Sequence, residues 1–100
     1  MFAETARLLG EAARRERWRV PSFRSPPRVL GRDRTIRRHR DGSVVVAVNL
    51  SDRPFVAVIA DMVEGTVAAN ELEGVDADRC RRALWTAVEA QVDESMSDAA

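Results

Sequence analysis

The 100-residue chain contains no lysine, one cysteine and one histidine. Each shortage removes a class of chemistry. Without lysine there is no Schiff-base amine, no P-loop lysine and no lysine general base. A single cysteine, Cys80, allows neither an internal disulfide nor a cysteine-rich metal site. With His39 as the sole histidine, a zinc site would have at most one imidazole and one thiolate, so neither metal nor cofactor is expected. Long apolar runs are missing too. The longest, Phe55 to Ala60, has six residues before Asp61, whereas a bilayer-spanning helix needs about 20. Near the N-terminus Glu4, Arg7 and Glu11 interrupt any secretion-type apolar core, and a cytoplasmic location is the expectation.

What is abundant is arginine, which supplies all sixteen basic residues. Its planar five-donor fork suits carboxylate and phosphate. Formal net charge is zero, yet the distribution is split. Residues 1–40 hold twelve arginines against four acids, a net +8, and residues 41–100 hold four arginines against twelve acids, a net −8. Such asymmetry points to a polyanion or a charged protein partner. The apolar fraction of 45% is that of a globular chain. One domain over residues 1–92 is expected, followed by a patternless, frayed tail at 93–100.

Along the chain, residues 2–17 read as a helix. Phe2, Thr5, Ala6, Leu9, Ala12 and Ala13 share one side, and Glu11 to Arg15 is a favourable i,i+4 pair. Arg19 to Asp33, with Pro21, Pro26 and Pro27, reads as extended loop. Asp41-Gly42 between Arg34–Arg40 and Ser43–Leu50 predicts a hairpin with a two-residue type I′ turn. That register pairs Arg40 with Ser43, His39 with Val44, Arg38 with Val45 and Ile36 with Ala47. One side of the first arm then shows Thr35, Arg37 and His39, and the other Ile36, Arg38 and Arg40. The valines of the second arm suggest a strand covered on both faces.

Phe55 to Leu72 has helical periodicity, with Asp61, Glu64 and Glu71 opposite the apolar stripe. Its β-branched start keeps a third strand, Phe55 to Ala60, as the rival. Gly65 is unfavourable in a helix interior and implies close packing or a helix boundary. Gly74 reads as the stop of that element. Asp76 then caps the last helix, Val75 and Cys80 have staple spacing, and Cys80, Ala83, Leu84, Ala87 and Val88 form its core stripe. The expected fold is α+β: an N-terminal helix, an antiparallel hairpin or small meander, and two C-terminal helices packed on one face. Two strands alone are marginal, so a third strand or pairing across a dimer is expected.

Catalytic motifs are not evident. His39 lies among Arg37, Arg38 and Arg40, cations that favour a neutral imidazole and supply no carboxylate partner. Cys80 reads as a core hydrophobe. Ser22, Ser25, Ser43 and Ser51 read as turn and cap residues. Asp61, Glu64, Glu71 and Glu73 could suggest a carboxylate site, but the helical wheel puts the first three on the polar side of one helix, and they read as a solvated face. No enzyme and no small-molecule substrate is expected. The candidate contact surface is Arg24, Arg28, Arg34, Arg37, Arg38, His39 and Arg40, with Trp18 and Phe23 as stacking groups should the partner be nucleic acid. A protein-interaction or regulatory module, self-association included, is the leading expectation. Nucleic-acid binding is the alternative.

Overall fold

The computed structural model describes residues 2–25 and 33–98, with side chains up to Glu94. Helix α1, Phe2–Arg15, buries Thr5, Leu9, Gly10, Ala12 and Ala13, the side expected from its periodicity. Its outer face departs from expectation in one pairing. Arg7 lies one turn from both Glu4 and Glu11 and bonds to each, at 2.7 Å to Glu11, so Glu11 does not pair with Arg15. These exposed contacts are worth a few tenths of a kcal/mol each.

Three strands follow: β1 Ser22–Arg24, β2 Arg34–Arg38 and β3 Val44–Val48. They form one mixed sheet in the order β1-β3-β2. The third strand comes from the proline-containing stretch read as loop, and β1 runs parallel to β3. The hairpin forms, but its register is shifted by one residue. Arg38 pairs with Val44, Arg37 with Val45, Ile36 with Val46, Thr35 with Ala47 and Arg34 with Val48. The cause is the turn. His39 N–H donates to Ser43 O at 2.9 Å, closing a three-residue loop in which Gly42 takes φ +88. Asp41 also holds this loop, accepting from the Ser43 N–H at 2.9 Å and hydroxyl at 2.6 Å. The Ser43 hydroxyl, and then its N–H, keep the Asp41 carboxyl below its ordinary pKa.

A one-residue slip exchanges the faces of a strand. Here it places Ile36 beside buried Val46, and Thr35 and Arg37 beside the half-exposed Ala47 and Val45. Among the described residues, helices cover one face of the sheet only, where cover on both faces, or nearly so, was expected.

Helix α2, Phe55–Ala69, covers that face, so helix rather than strand is the outcome for Phe55–Ala60. Val58, Ile59, Met62, Val63, Gly65, Thr66, Val67 and Ala69 are all buried, because α1, α3 (Gly74–Ala87) and α4 (Glu89–Asp98) pack around the rest of α2. An apolar surface around most of the circumference is the mark of a central helix. Gly65 marks its closest approach to the sheet. A Cβ there would lie 2.5 Å from Val46 Cγ1 and 2.9 Å from Cγ2.

The central position also revises the carboxylates. Asp61 and Glu64 do not form a solvated face, since their side chains keep only 13% and 35% of their exposure and each meets arginine. Glu64 takes a two-pronged contact from Arg81, with Nε at 2.8 Å and Nη2 at 2.9 Å. That contact, with Asp78 at 3.0 Å, raises the Arg81 pKa further above its ordinary value.

Two helices end in the same unusual way. Trp18 N–H reaches Ala13 O at 2.8 Å and Arg17 N–H reaches Arg14 O at 3.0 Å after α1. After α2, Leu72 N–H reaches Val67 O at 3.2 Å and Glu71 N–H reaches Ala68 O at 3.0 Å. These are Schellman closures, whose left-handed position glycine normally fills. Here it is occupied by Arg17 (φ 63) and Glu71 (φ 54), so α2 stops before Gly74. An L-residue in that conformation costs roughly 1–2 kcal/mol. Arg17→Gly and Glu71→Gly are each expected to stabilise the chain by about 0.5–1 kcal/mol, glycine's own chain entropy offsetting the rest. Urea unfolding of each variant measures this.

Helix α3 begins at Gly74, with no side-chain cap. Asp76 thus lies inside the first turn rather than before it, and Val75 stays 82% exposed instead of stapling onto Cys80. Ala77, Cys80 and Leu84 form its buried stripe. The chain remains helical as α4 beyond residue 92, where the sequence shows no amphipathic pattern. Thr5, fully buried, donates its hydroxyl to the Gln91 side chain and ties α1 to α4.

Candidate functional site

The site begins with strand alternation. On β3, Val44, Val46 and Val48 face α2, and Val45 and Ala47 face outward. Register carries Ser22 and Arg24 of β1, and Thr35 and Arg37 of β2, to the same outward side. Thr35, Arg37, His39, Val45 and Ala47 line a depression of about 350 Å³ there. Its floor is small and apolar, and its rim is cationic. Among the described residues, Arg24, Arg37 and Arg40 are exposed and meet no carboxylate. The nearby acids are engaged elsewhere: Asp41 with Ser43, and Asp33 with Arg53 at 3.6 Å.

The arginines expected to act together are divided between two tasks. Arg24, Arg37 and His39 belong to the open face, and Arg40 projects from the exposed hairpin loop beside it. Arg34 instead donates to Asp61 at 2.9 Å. Arg38 reaches the C-terminal end of α2, donating to Ala68 O at 2.6 Å and Ala69 O at 3.4 Å. A guanidinium there adds a donor to the last-turn carbonyls, Ala68 O also accepting from the Glu71 N–H, and meets the negative end of the helix dipole. Both are positioning residues of the fold. Arg28 lies outside the described residues.

Sequence reading already grouped Thr35, Arg37 and His39, but it missed Ser22, Val45 and Ala47 as their neighbours. Val45 and Ala47 were missed through the one-residue register shift of the hairpin, and Ser22 through the parallel β1 pairing, which has no local signature over three residues. The hairpin tip is anchored by Arg19, whose side chain bonds Gly42 O. Arg19's own backbone is held by Asn70, with N–H to Oδ1 at 2.6 Å and Nδ2 to O at 2.9 Å. These bonds join the α1–β1 linker to both α2 and the hairpin.

The aromatic side chains lie elsewhere. Phe2, Trp18, Phe23, Phe55 and Trp85 all pack against the hydrophobic core. Trp18 and Phe23 therefore do not stand on the open face as stacking groups, because Phe23 is paired with Val46 and shares its inward direction.

A second depression, about 380 Å³, lies between α1 and α3, lined by Ala12, Arg15, Glu16, Arg79, Arg82, Ala83 and Thr86. It is the larger of the two, but its rim mixes signs and Arg79 is 3.7 Å from Asp76. The sheet face carries one sign over an apolar floor that no described element covers, and is the stronger recognition surface.

Cys80 is fully buried, and burial pushes its thiol up to about 11. The folded chain thus keeps this proton in the range from 9 to about 11, where an unfolded thiol loses it, and stability should decline as pH rises through that window. Thiolate is the reactive form. An aromatic disulfide reagent at pH 7 is accordingly expected to label Cys80 only after denaturant is added.

Among the described residues, no three His, Cys, Asp or Glu side chains are grouped to hold a metal ion. No helix among them is long and apolar enough to cross a membrane. Compared with protein-family models, curated proteins and solved structures, this α+β chain finds no match in any of the three.

Proposed function

We propose that this chain is a non-enzymatic protein-interaction module of the cytoplasm, and that its open sheet face receives an acidic surface of a protein partner. The observation that carries this reading is a sheet whose outer face is open among the described residues: an apolar floor of Val45 and Ala47 under Arg24, Arg37 and His39. Apolar floors supply burial and cationic rims supply orientation and association rate. The sole cysteine, a buried thiol with no disulfide partner, suits a reducing compartment. Self-association belongs to the same reading, since a second copy offers exposed acids at Glu71 and Glu73.

Single-stranded nucleic acid is the weaker occupant for a physical reason. Its sequence-tolerant binding combines cations with aromatic platforms for the bases, and here the aromatics face the core.

The test is a titration with a capped peptide alternating glutamate and valine, alongside a single-stranded oligonucleotide, over a range of salt. Arg24→Glu/Arg37→Glu is expected to weaken peptide binding at least tenfold. Its unfolding free energy should stay within about 0.5 kcal/mol per exposed site. Oligonucleotide binding with a steep salt slope, and none to the peptide, would overturn the proposal in favour of phosphate recognition.

A further inference from the structure

Strand β2 lies at an edge of the sheet, and among the described residues it pairs only with β3. Two bonds at its ends reveal which backbone groups are left over. Asn49 N–H donates to Asp33 O and His39 N–H donates to Ser43 O, each at 2.9 Å. In an antiparallel ladder the bonded residues alternate. Residues 33, 35, 37 and 39 therefore turn their backbone groups toward β3, and Arg34, Ile36 and Arg38 turn theirs outward. This is a template for one more strand. The opposite edge is blunter, since β1 has only three residues and follows Pro21.

From this edge we infer that the partner binds by strand addition: an extended acidic segment of another protein pairs with β2. The inference rests on the functional reading above and specifies its geometry. An added strand would alternate its side chains about the sheet. Every second residue would lie beside Thr35, Arg37 and His39 on the open face, where acidic groups meet unpaired cations. Charge decides between this occupant and a second copy. Two β2 strands paired antiparallel about Ile36 would gather the Arg37 and His39 side chains of both copies on one open face with no acid between them, and like charges brought together across strands are destabilising. An acidic strand instead brings carboxylates to Arg37, which meets none among the described residues. Cationic edges also guard against self-pairing.

Amide exchange on the full-length, isotope-labelled chain tests this, using the alternating glutamate–valine peptide and a copy N-methylated at alternate amides. At about tenfold excess over Kd, the peptide is expected to slow exchange of the Ile36 and Arg38 amides about tenfold. Thr35 and Arg37, already bonded to β3, should change little. N-methylation should weaken binding at least tenfold without altering charge. If the peptide binds, is lost in Arg37→Glu, yet leaves Ile36 and Arg38 unprotected and tolerates N-methylation, strand addition is wrong and the surface reading survives. If the peptide fails to bind, or binds regardless of Arg37→Glu, the surface reading falls as well. Protection of Ile36 and Arg38 without peptide, accompanied by a dimer mass, would assign the edge to a second copy and overturn the acidic occupant.

Discussion

Replacing Gly65 with alanine is expected to destabilise the chain by about 1–2 kcal/mol, against the direction that helix propensity gives. Alanine in place of an interior helical glycine would ordinarily gain about 1 kcal/mol. The gain is outweighed by the approach of α2 to the sheet, where an added Cβ falls 2.5 Å from Val46 Cγ1. Val46 is fully buried, β-branched, and held in the central strand between β1 and β2. It has little rotamer freedom with which to retreat. The helix must therefore lift, and overpacking of this kind typically costs 1–3 kcal/mol, occasionally more. For a chain of this size the melting temperature should fall by roughly 5–15 °C. Val46→Ala in the same background makes room at the contact. The double variant should lose less stability than the two single losses added together. A rise in melting temperature on Gly65→Ala alone would mean that the helix and sheet do not approach so closely.

The second large effect is expected at Asp61. Its carboxylate accepts from Arg34 at 2.9 Å and also from Arg53, whose side chain retains only 14% of its exposure. Arg53 further spans the β3–α2 turn, donating to Asn49 O at 2.9 Å and Ala57 O at 3.3 Å. The pair joins the start of β2, the turn and the first half of α2. Asp61→Ala would leave two arginines beside a low-dielectric interior without their shared counter-charge. Removing one member of a buried ion pair costs about 3–5 kcal/mol. The lower end, about 3 kcal/mol, is expected here because Arg53 keeps its carbonyl acceptors and Arg34 can turn toward water. Asp61→Leu combined with Arg53→Met should recover most of the loss, since well-packed apolar replacements often match a buried pair. Denaturant unfolding of the single and double variants decides this. Equal losses in both would show that the apolar pair cannot replace the clasp.

Both effects bear on what the amino-acid sequence can disclose. The apolar stripe of α1, the helix at Phe55 and the strand at Val44 follow from local periodicity, and all three were legible. Gly65 was legible as an anomaly, because a glycine inside a helical pattern implies contact. Asp61 was misread for a definable reason: a helical wheel ranks the sides of a helix by polarity but does not tell what covers them. In a central helix the polar side meets neighbouring arginines rather than water. The hairpin register turned on one residue of loop length, and Asp41-Gly42 serves a three-residue loop as readily as a two-residue one. Arg17 and Glu71 hide two helix ends because glycine, the usual marker of that conformation, is absent from both.

The candidate surface was legible in the same partial way. Its cations were found from composition, and the face shared by Thr35, Arg37 and His39 followed from alternation. The separation of Arg34 and Arg38 from that face was not legible, because their partners, Asp61 and the end of α2, lie about 30 residues away in sequence. The original charge asymmetry thus resolves into two populations. Some arginines hold helix to sheet, and the others remain unpaired over Val45 and Ala47.

Backbone and methyl chemical-shift mapping with the alternating glutamate–valine peptide is the most direct measurement of the claim that this unpaired population is the binding surface. The expected result is a contiguous set of shifts at Ser22, Arg24, Thr35, Arg37, Val45 and Ala47, with α1 and α3 unmoved. Shifts centred instead on Arg15, Arg79 and Arg82 between α1 and α3, or none at all, would contradict it.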